Sequence, residues 1–266
     1  VDGQNYKERL VAALPKPRLF QGYIAIFDVL GFKSFCQNNT DQKVAEAVLG
    51  IVDSIPEVMR TILGQSLGQK DKALEEHLLS PISWLVFSDT IVVALPQIKV
   101  SQNDTVYTYL IACSVLNRLM FDHGLPVRGA IYFGDFALGN RCIAGKVVVE
   151  ALEQVHELEL ACTVVSNDAW TRLQDSLQSH NMWSRFILGM LPRSSVPCKN
   201  SPKTLTTLNW FNVYVSGMGK VKPKDYYKYV MDSFLAHGKQ LNSSAHTKAR
   251  NTADLFDKWE SKPPVH

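Results

Sequence analysis

The stretch Tyr23-Ile24-Ala25-Ile26-Phe27-Asp28-Val29-Leu30-Gly31-Phe32 is an apolar run that stops at a carboxylate and then meets a glycine. The compact run reads as a buried strand ending at Asp28, and Gly31 reads as a turn into a helix start. Upstream, residues 4 to 14 read as a short amphipathic helix ended by Pro15. Downstream, Val44, Ala47, Val48, Ile51, Ile55, Val58 and Met59 fall at three- and four-residue steps. That spacing predicts a helix over 41–62, kinked at Pro56.

Residues 64 to 80 are polar and contain glycine, and read as a break. After Pro81, two strand-like runs, 82–87 and 90–95, are separated only by Ser88-Asp89, which predicts a hairpin with an aspartate at its tip. Helical spacing returns over 104–122, and after Gly124-Leu125-Pro126 the run Val127 to Phe133 reads as a strand. The order strand, helix, strand, strand, helix, strand is the ferredoxin-like βαββαβ unit. It is an α+β architecture in which helices cover one face of an antiparallel sheet. There the third strand lies between the first and second and runs antiparallel to the first. Its start is therefore expected beside the end of the first, so that Asp89 meets Asp28 although they lie 61 positions apart in the chain.

Two adjacent carboxylates repel unless a proton or a cation lies between them, and hard oxygen ligands suit Mg2+ or Mn2+ bridging to phosphate. A pair of such ions about 3.5–4 Å apart activates a hydroxyl and holds a triphosphate in line. Taken singly, Asp28 reads equally well as a helix cap and Asp89 as a turn residue; their convergence favours the metal. The segment Val29-Leu30-Gly31-Phe32-Lys33-Ser34-Phe35 would then offer main-chain N–H groups to phosphate at a helix start. Lys33 and Arg141 are weaker candidates that read as solvated charges.

The balance of 28 basic and 25 acidic residues, net +3, argues against a protein that coats nucleic acid or a membrane surface by charge. Five scattered cysteines without CxxC spacing suggest reduced thiols in a cytoplasm. The seven histidines show no HxxxH or HxH spacing, which argues against a histidine metal site. The longest uncharged apolar stretch, Thr105 to Asn117, is shorter than the about 20 residues of a membrane span. In the remainder, Thr163–Val165 reads as a strand, Asn167 starts a helix, and 189–206 reads as a Pro-, Ser- and Lys-rich loop. Leu205–Val215 reads as a strand with Trp210 and Phe211 in the core, and 223–238 and 243–260 read as helices. The basic run Lys220 to Lys224 reads as a solvated linker.

Phe27-Asp28-Val29-Leu30-Gly31-Phe32, Phe87-Ser88-Asp89-Thr90-Ile91, Val127-Arg128-Gly129-Ala130-Ile131 with Gly134, and Gly145-Lys146-Val147-Val148-Val149-Glu150-Ala151 resemble, in order, the motifs of the class III nucleotidyl cyclases. The resemblance covers residues 20–170 as a catalytic core, leaving an N-terminal helix in 1–19 and a C-terminal extension in 171–266. It implies a homodimer with active sites between protomers, Asp28, Asp89 and the carbonyl of Val29 as ligands of Mn2+ or Mg2+, two ions in all, and Arg128 on the triphosphate. Phe27, Leu30, Gly31 and Phe32 would line the nucleotide.

The departures narrow it. The family's adenine-reading lysine and aspartate fall at Leu85 and Cys142, which lack the needed hydrogen-bonding groups. Its transition-state Asn and Arg fall at Val149 and Glu153. With its long helix-rich tail carrying Asn251-Thr252 and its compact Gly145 to Glu153 segment, the chain resembles the divergent bacterial pyrimidine cyclases of antiphage defence, which convert UTP or CTP to a cyclic messenger read by a separate effector protein. UTP, giving cUMP and pyrophosphate, is favoured by family tendency. The rivals are a purine cyclase and a silent cyclase-shaped binding or dimerisation module. A diguanylate cyclase or polymerase palm ranks last, because the hairpin tip lacks a Gly-Gly-Asp-Glu-Phe signature.

Overall fold

A computed structural model describes residues 18–66, 72–96, 102–139, 142–177, 189–212 and 225–261. The helix expected over 4–14, Arg141 and the run Lys220–Lys224 lie outside them. The elements are β1 (Arg18–Val29), α1 (Phe32–Asn38), α2 (Asp41–Ser66), α3 (Lys72–Leu79), β2 (Ser83–Phe87), β3 (Thr90–Pro96), α4 (Gln102–Asp122), β4 (Val127–Gly139), β5 (Cys142–Ala144), α5 (Lys146–Glu157), β6 (Thr163–Val165), α6 (Asn167–Leu177), β7 (Arg193–Val196), β8 (Lys203–Thr207), α7 (Tyr226–Leu235) and α8 (Ser243–Ser261). Short 3-10 turns cover Trp210–Asn212 and Ala236–Gly238.

One sheet runs in the order β2-β3-β1-β4-β6-β8-β7, with β5 paired to β4. Its first four strands have the split βαββαβ arrangement, β3 lying between β1 and β2. All these pairings are antiparallel except β4 with β6.

β1 is apolar on both sides because both sides are buried. Tyr23, Ala25, Phe27 and Val29 join a core with Ile51, Ile55 and Met59 of α2 and with most of α4. Ile24 and Ile26 join a second core with Val147, Ala151 and Val155 of α5 and the aromatic group of Trp210, Phe211, Phe256 and Trp259. Sequence reading expected helices on one face only. The unbroken apolar run of β1, without polar alternation, is the physical sign of the second cover.

Three local readings are corrected. The break expected over 64–80 contains α3, which buries Leu78. The loop expected over 189–206 contains a hairpin, β7 with β8, whose alternation of buried Ser194 and Val196 with exposed neighbours gave no apolar signature. The strand expected from Leu205 ends at Thr207; Trp210 and Phe211 are core residues as expected, carried on a 3-10 turn. Among the described residues, no helix is long and apolar enough to cross a membrane, and all five cysteines are free.

Candidate active site

The end of β1 is fixed by its neighbours on both sides. Asp28 stands opposite Thr90 of β3 and opposite Arg128 of β4. Beyond it the main chain leaves the sheet under two further restraints: Val29 N–H donates to the Asp89 carbonyl at 2.9 Å, and Leu30 N–H donates to the Pro126 carbonyl at 2.9 Å. The hairpin that delivers Asp89 turns on two residues, Ser88 taking φ 56°. Positive φ in a two-residue turn matches the right-handed twist of the strands. The structure thus brings Asp28, Val29 and Asp89 together at one sheet end.

Facing pairs in an antiparallel ladder put their side chains on the same side. Asp28, Thr90 and Arg128 therefore share the face of Ile24 and Ile26, whereas Phe27 is fully buried in the opposite core. Leu30 is also buried, and Phe32 is half-buried against the first core. The side chains of Phe27 and Leu30 are packed in the two cores, and the Leu30 N–H expected to serve phosphate is already bonded to the Pro126 carbonyl. Gly31 follows with φ 77°, the left-handed region a glycine enters without strain. It caps α1 with no side-chain hydrogen bond, which leaves the first amides of that helix without a side-chain partner at the cap. Lys33 is exposed.

Arg128 Nε donates to Asp28 Oδ2 at 2.7 Å, both side chains being 14% exposed. Its Nη1 donates to the carbonyls of Leu158, at 3.1 Å, and of His156, at 3.4 Å, at the end of α5. The guanidinium therefore spans from the carboxylate to the C-terminal carbonyls of a helix, where the macrodipole also favours a cation. Its place is on Asp28, a contact the motif resemblance did not include.

Asp28, Asp89 and the Val29 carbonyl, adjacent along the main chain, would offer a metal oxygen donors only. One oxygen of Asp28 takes the Arg128 bond; the other, and both of Asp89, accept no hydrogen bond from the described residues. Such a set fits Mg2+ or Mn2+, which bind through one or two carboxylates and complete their shell with water and phosphate oxygen. Among the described residues, no group of three or more His, Cys, Asp or Glu is placed to hold a metal ion, so protein side chains alone would not complete its shell.

Cys36 of α1 lies within the field of Asp89. Burial first, then the charges of Asp41 and Asp89, push its thiol pKa up, which keeps it protonated and unreactive. On α5, Val149 is 55% exposed and Glu153 is exposed, one turn apart on the face away from the buried Val147, Ala151 and Val155. Leu85 is half-buried and Cys142 exposed. Sequence reasoning missed Thr90, Cys36 and the carbonyl partners of Arg128; the register of β1 against β3 and β4 is what reveals the first.

No protein-family model matches the chain, and no curated protein matches it at a significant level. Among solved structures it is similar to the guanylyl cyclase Cya2, at 12% identity over 77% of this chain and 99% of that one, with a TM-score of 0.44. It is similar to the catalytic core of a rhodopsin-guanylyl cyclase with converted specificity, in complex with ATPalphaS, at 10% identity over 73% and 97%, TM-score 0.46. A bacterial light-regulated adenylyl cyclase is similar at 10% identity over 96% and 67%, TM-score 0.47. These are distant likenesses; the fold and site described above rest on strand register and side-chain geometry.

Proposed function

We propose that this chain is a nucleotidyl cyclase that converts a pyrimidine nucleoside triphosphate, UTP in preference to CTP, into its 3′,5′-cyclic nucleotide, cUMP from UTP, and pyrophosphate. The observation that carries the reading is the meeting of Asp28 and Asp89 at one sheet end, with free carboxylate oxygens and the Val29 carbonyl beside them. The four motifs in family order support it.

Bound Mn2+ or Mg2+, two ions in this reading, would neutralise the triphosphate and lower the pKa of the ribose 3′-hydroxyl. The chain's own residues hold and orient. Asp28 and Asp89 supply the anionic ligands, and Arg128 fixes the Asp28 carboxylate through a 2.7 Å bond. The Gly31 turn offers main-chain N–H groups to the phosphates. Leu85 and Cys142, in place of adenine-reading polar groups, favour a pyrimidine over a purine.

A homodimer with sites between protomers fits the exposed end of the edge strand: Phe87, the last residue of β2, is 83% exposed and two positions before Asp89. The biological setting in this reading is bacterial antiphage defence, the enzyme acting in the cytoplasm and the cyclic nucleotide read by a separate effector protein, with neither nucleic acid nor membrane as partner. The exposed Val149 and Glu153 favour a second reading, a cyclase-shaped module that binds nucleotide without turning it over.

The test is incubation of the purified chain with Mn2+ and each of ATP, GTP, CTP and UTP, with products identified by mass spectrometry. A cyclic pyrimidine nucleotide is expected. A cyclic purine would replace the pyrimidine assignment, and nucleotide binding with no cyclic product would replace the enzyme with the binding module.

A further inference from the structure

The turn that follows Asp28 is gripped from a distant part of the chain. Between α7 and α8, residues 236–240 lie against α1 and the α4–β4 turn together. Asn38 Nδ2 donates to the Gly238 carbonyl at 2.8 Å, Asn39 Nδ2 donates to the His237 carbonyl at 2.9 Å, and the Gln240 N–H reaches Ser34 Oγ at 3.4 Å. The His237 ring packs on Phe35, centroids 5.0 Å apart, and its Nε2 bonds the His123 carbonyl at 2.7 Å.

Lys239 closes the junction. It is 4% exposed, and its ammonium donates to the carbonyls of Gly124, after α4, and Ser233, in the last turns of α7. It forms no ion pair with a carboxylate among the described residues. Its stem passes under the turn: a Cβ placed on Gly31 would lie 3.3 Å from Lys239 Cδ. On the other side, a Cβ on Gly124, φ 73°, would overlap the Cβ of Ala236. The Pro126 carbonyl of the same α4–β4 turn accepts from Leu30 N–H. Three segments far apart in sequence thus meet around the two residues that follow the metal-ligand candidates.

A buried lysine without a counterion is a costly way to fill space, since a methionine would pack there without desolvating a charge. Its burial is matched by what the ammonium joins: two helix ends and, through its stem, the Gly31 turn. We propose that the 236–240 turn, anchored by Lys239, sets the position of the Val29–Phe32 turn, and that Lys239 is a positioning residue of the site. The functional half of this inference rests on the cyclase reading; the structural half does not.

The test compares Lys239→Ala and the double variant Asn38→Ala/Asn39→Ala with the wild type by amide hydrogen exchange and by steady-state kinetics on Mn2+ with UTP. The second variant removes the grip from the exposed side of α1, so it decides the matter if Lys239→Ala fails to fold. Amides 30–35 are expected to exchange about tenfold faster while those of Tyr23–Ile26 keep their protection. The KM for UTP is expected to rise about tenfold with kcat within about threefold. Wild-type exchange at 30–35 in the double variant or in a folded Lys239→Ala overturns the proposal, as does loosening spread evenly through β1. Loss of kcat with KM unchanged overturns its functional half. A wild type that cyclises no nucleotide ends the cyclase reading, while the exchange comparison still decides whether the turn is positioned this way.

Discussion

Asp28 and Arg128 face each other across the β1–β4 ladder, and the guanidinium Nε lies 2.7 Å from a carboxylate that would also have to hold a metal ion. Both are 14% exposed, so neither charge is well solvated alone. Removing one partner of such a pair leaves the other uncompensated at a cost of about 2–4 kcal/mol. Arg128→Ala is therefore expected to lower the melting temperature. If the Asp28–Asp89 pair binds a divalent cation, millimolar Mn2+ should restore more stability to Arg128→Ala than it adds to the wild type. Thermal melts with and without Mn2+ measure this, and equal Mn2+ responses in the two proteins would count against the shared use of Asp28.

Asp28 and Asp89 differ in what else they do, and their variants should separate accordingly. Asp28→Asn takes the charge from the Arg128 bond and is expected to cost about 1–3 kcal/mol of stability. Asp89 accepts no side-chain bond from the described residues, so Asp89→Asn should leave the melting temperature nearly unchanged. Both should reduce cyclic nucleotide formation by about 100-fold or more if they are the metal ligands. Calorimetry paired with product analysis reads the two effects separately; an active Asp89→Asn would remove it from the site.

The adjacency of residues 28 and 89 along the main chain was legible because it follows from strand order alone: once 82–87 and 90–95 are read as a hairpin and the βαββαβ order is set, the start of β3 must lie beside the end of β1. The two core helices were legible from apolar periodicity. The β7–β8 hairpin was not, since its buried positions include Ser194, Thr206 and Thr207, whose hydroxyls carry no hydrophobic signal. Lys239 was not legible either. Its partners Gly31 and Gly124 are more than a hundred positions away, and nothing local in His237-Gly238-Lys239-Gln240 distinguishes a buried lysine from a solvated one.

Phe87 tests the proposed dimer. It shares a sheet face with Leu85, Thr90 and Asp28 at the end of the edge strand β2, and is 83% exposed. A large aromatic left in water on an edge strand next to the site is suited to burial against a second copy. Phe87→Glu should shift a dimer toward monomer by about tenfold or more in dissociation constant, measured by sedimentation equilibrium, without lowering the monomer's melting temperature. An unchanged association constant would place the interface elsewhere.

Lys239 gives a pH signature whose sign is fixed by burial. Desolvation lowers its pKa from the ordinary 10.5 to about 8. Between those values the unfolded chain binds more protons than the folded one, so stability rises with pH. The contribution is fully present above about 10.5 and is lost as pH falls through about 8. Burial acts oppositely on Cys113 and Cys162, whose raised thiol pKa values make the folded state lose stability above about pH 9. The two effects mask each other in the wild type alone. Lys239→Met removes the first and leaves the second, and the nearby imidazoles of His123 and His237 are common to both proteins. The stability of the wild type relative to Lys239→Met should therefore climb from pH 8 to pH 10, at a slope approaching about 1 kcal/mol per unit. Urea melts at half-unit steps measure that difference. A flat difference would mean that the carbonyls of Gly124 and Ser233 hold the ammonium charged throughout, as full compensation of its burial would require.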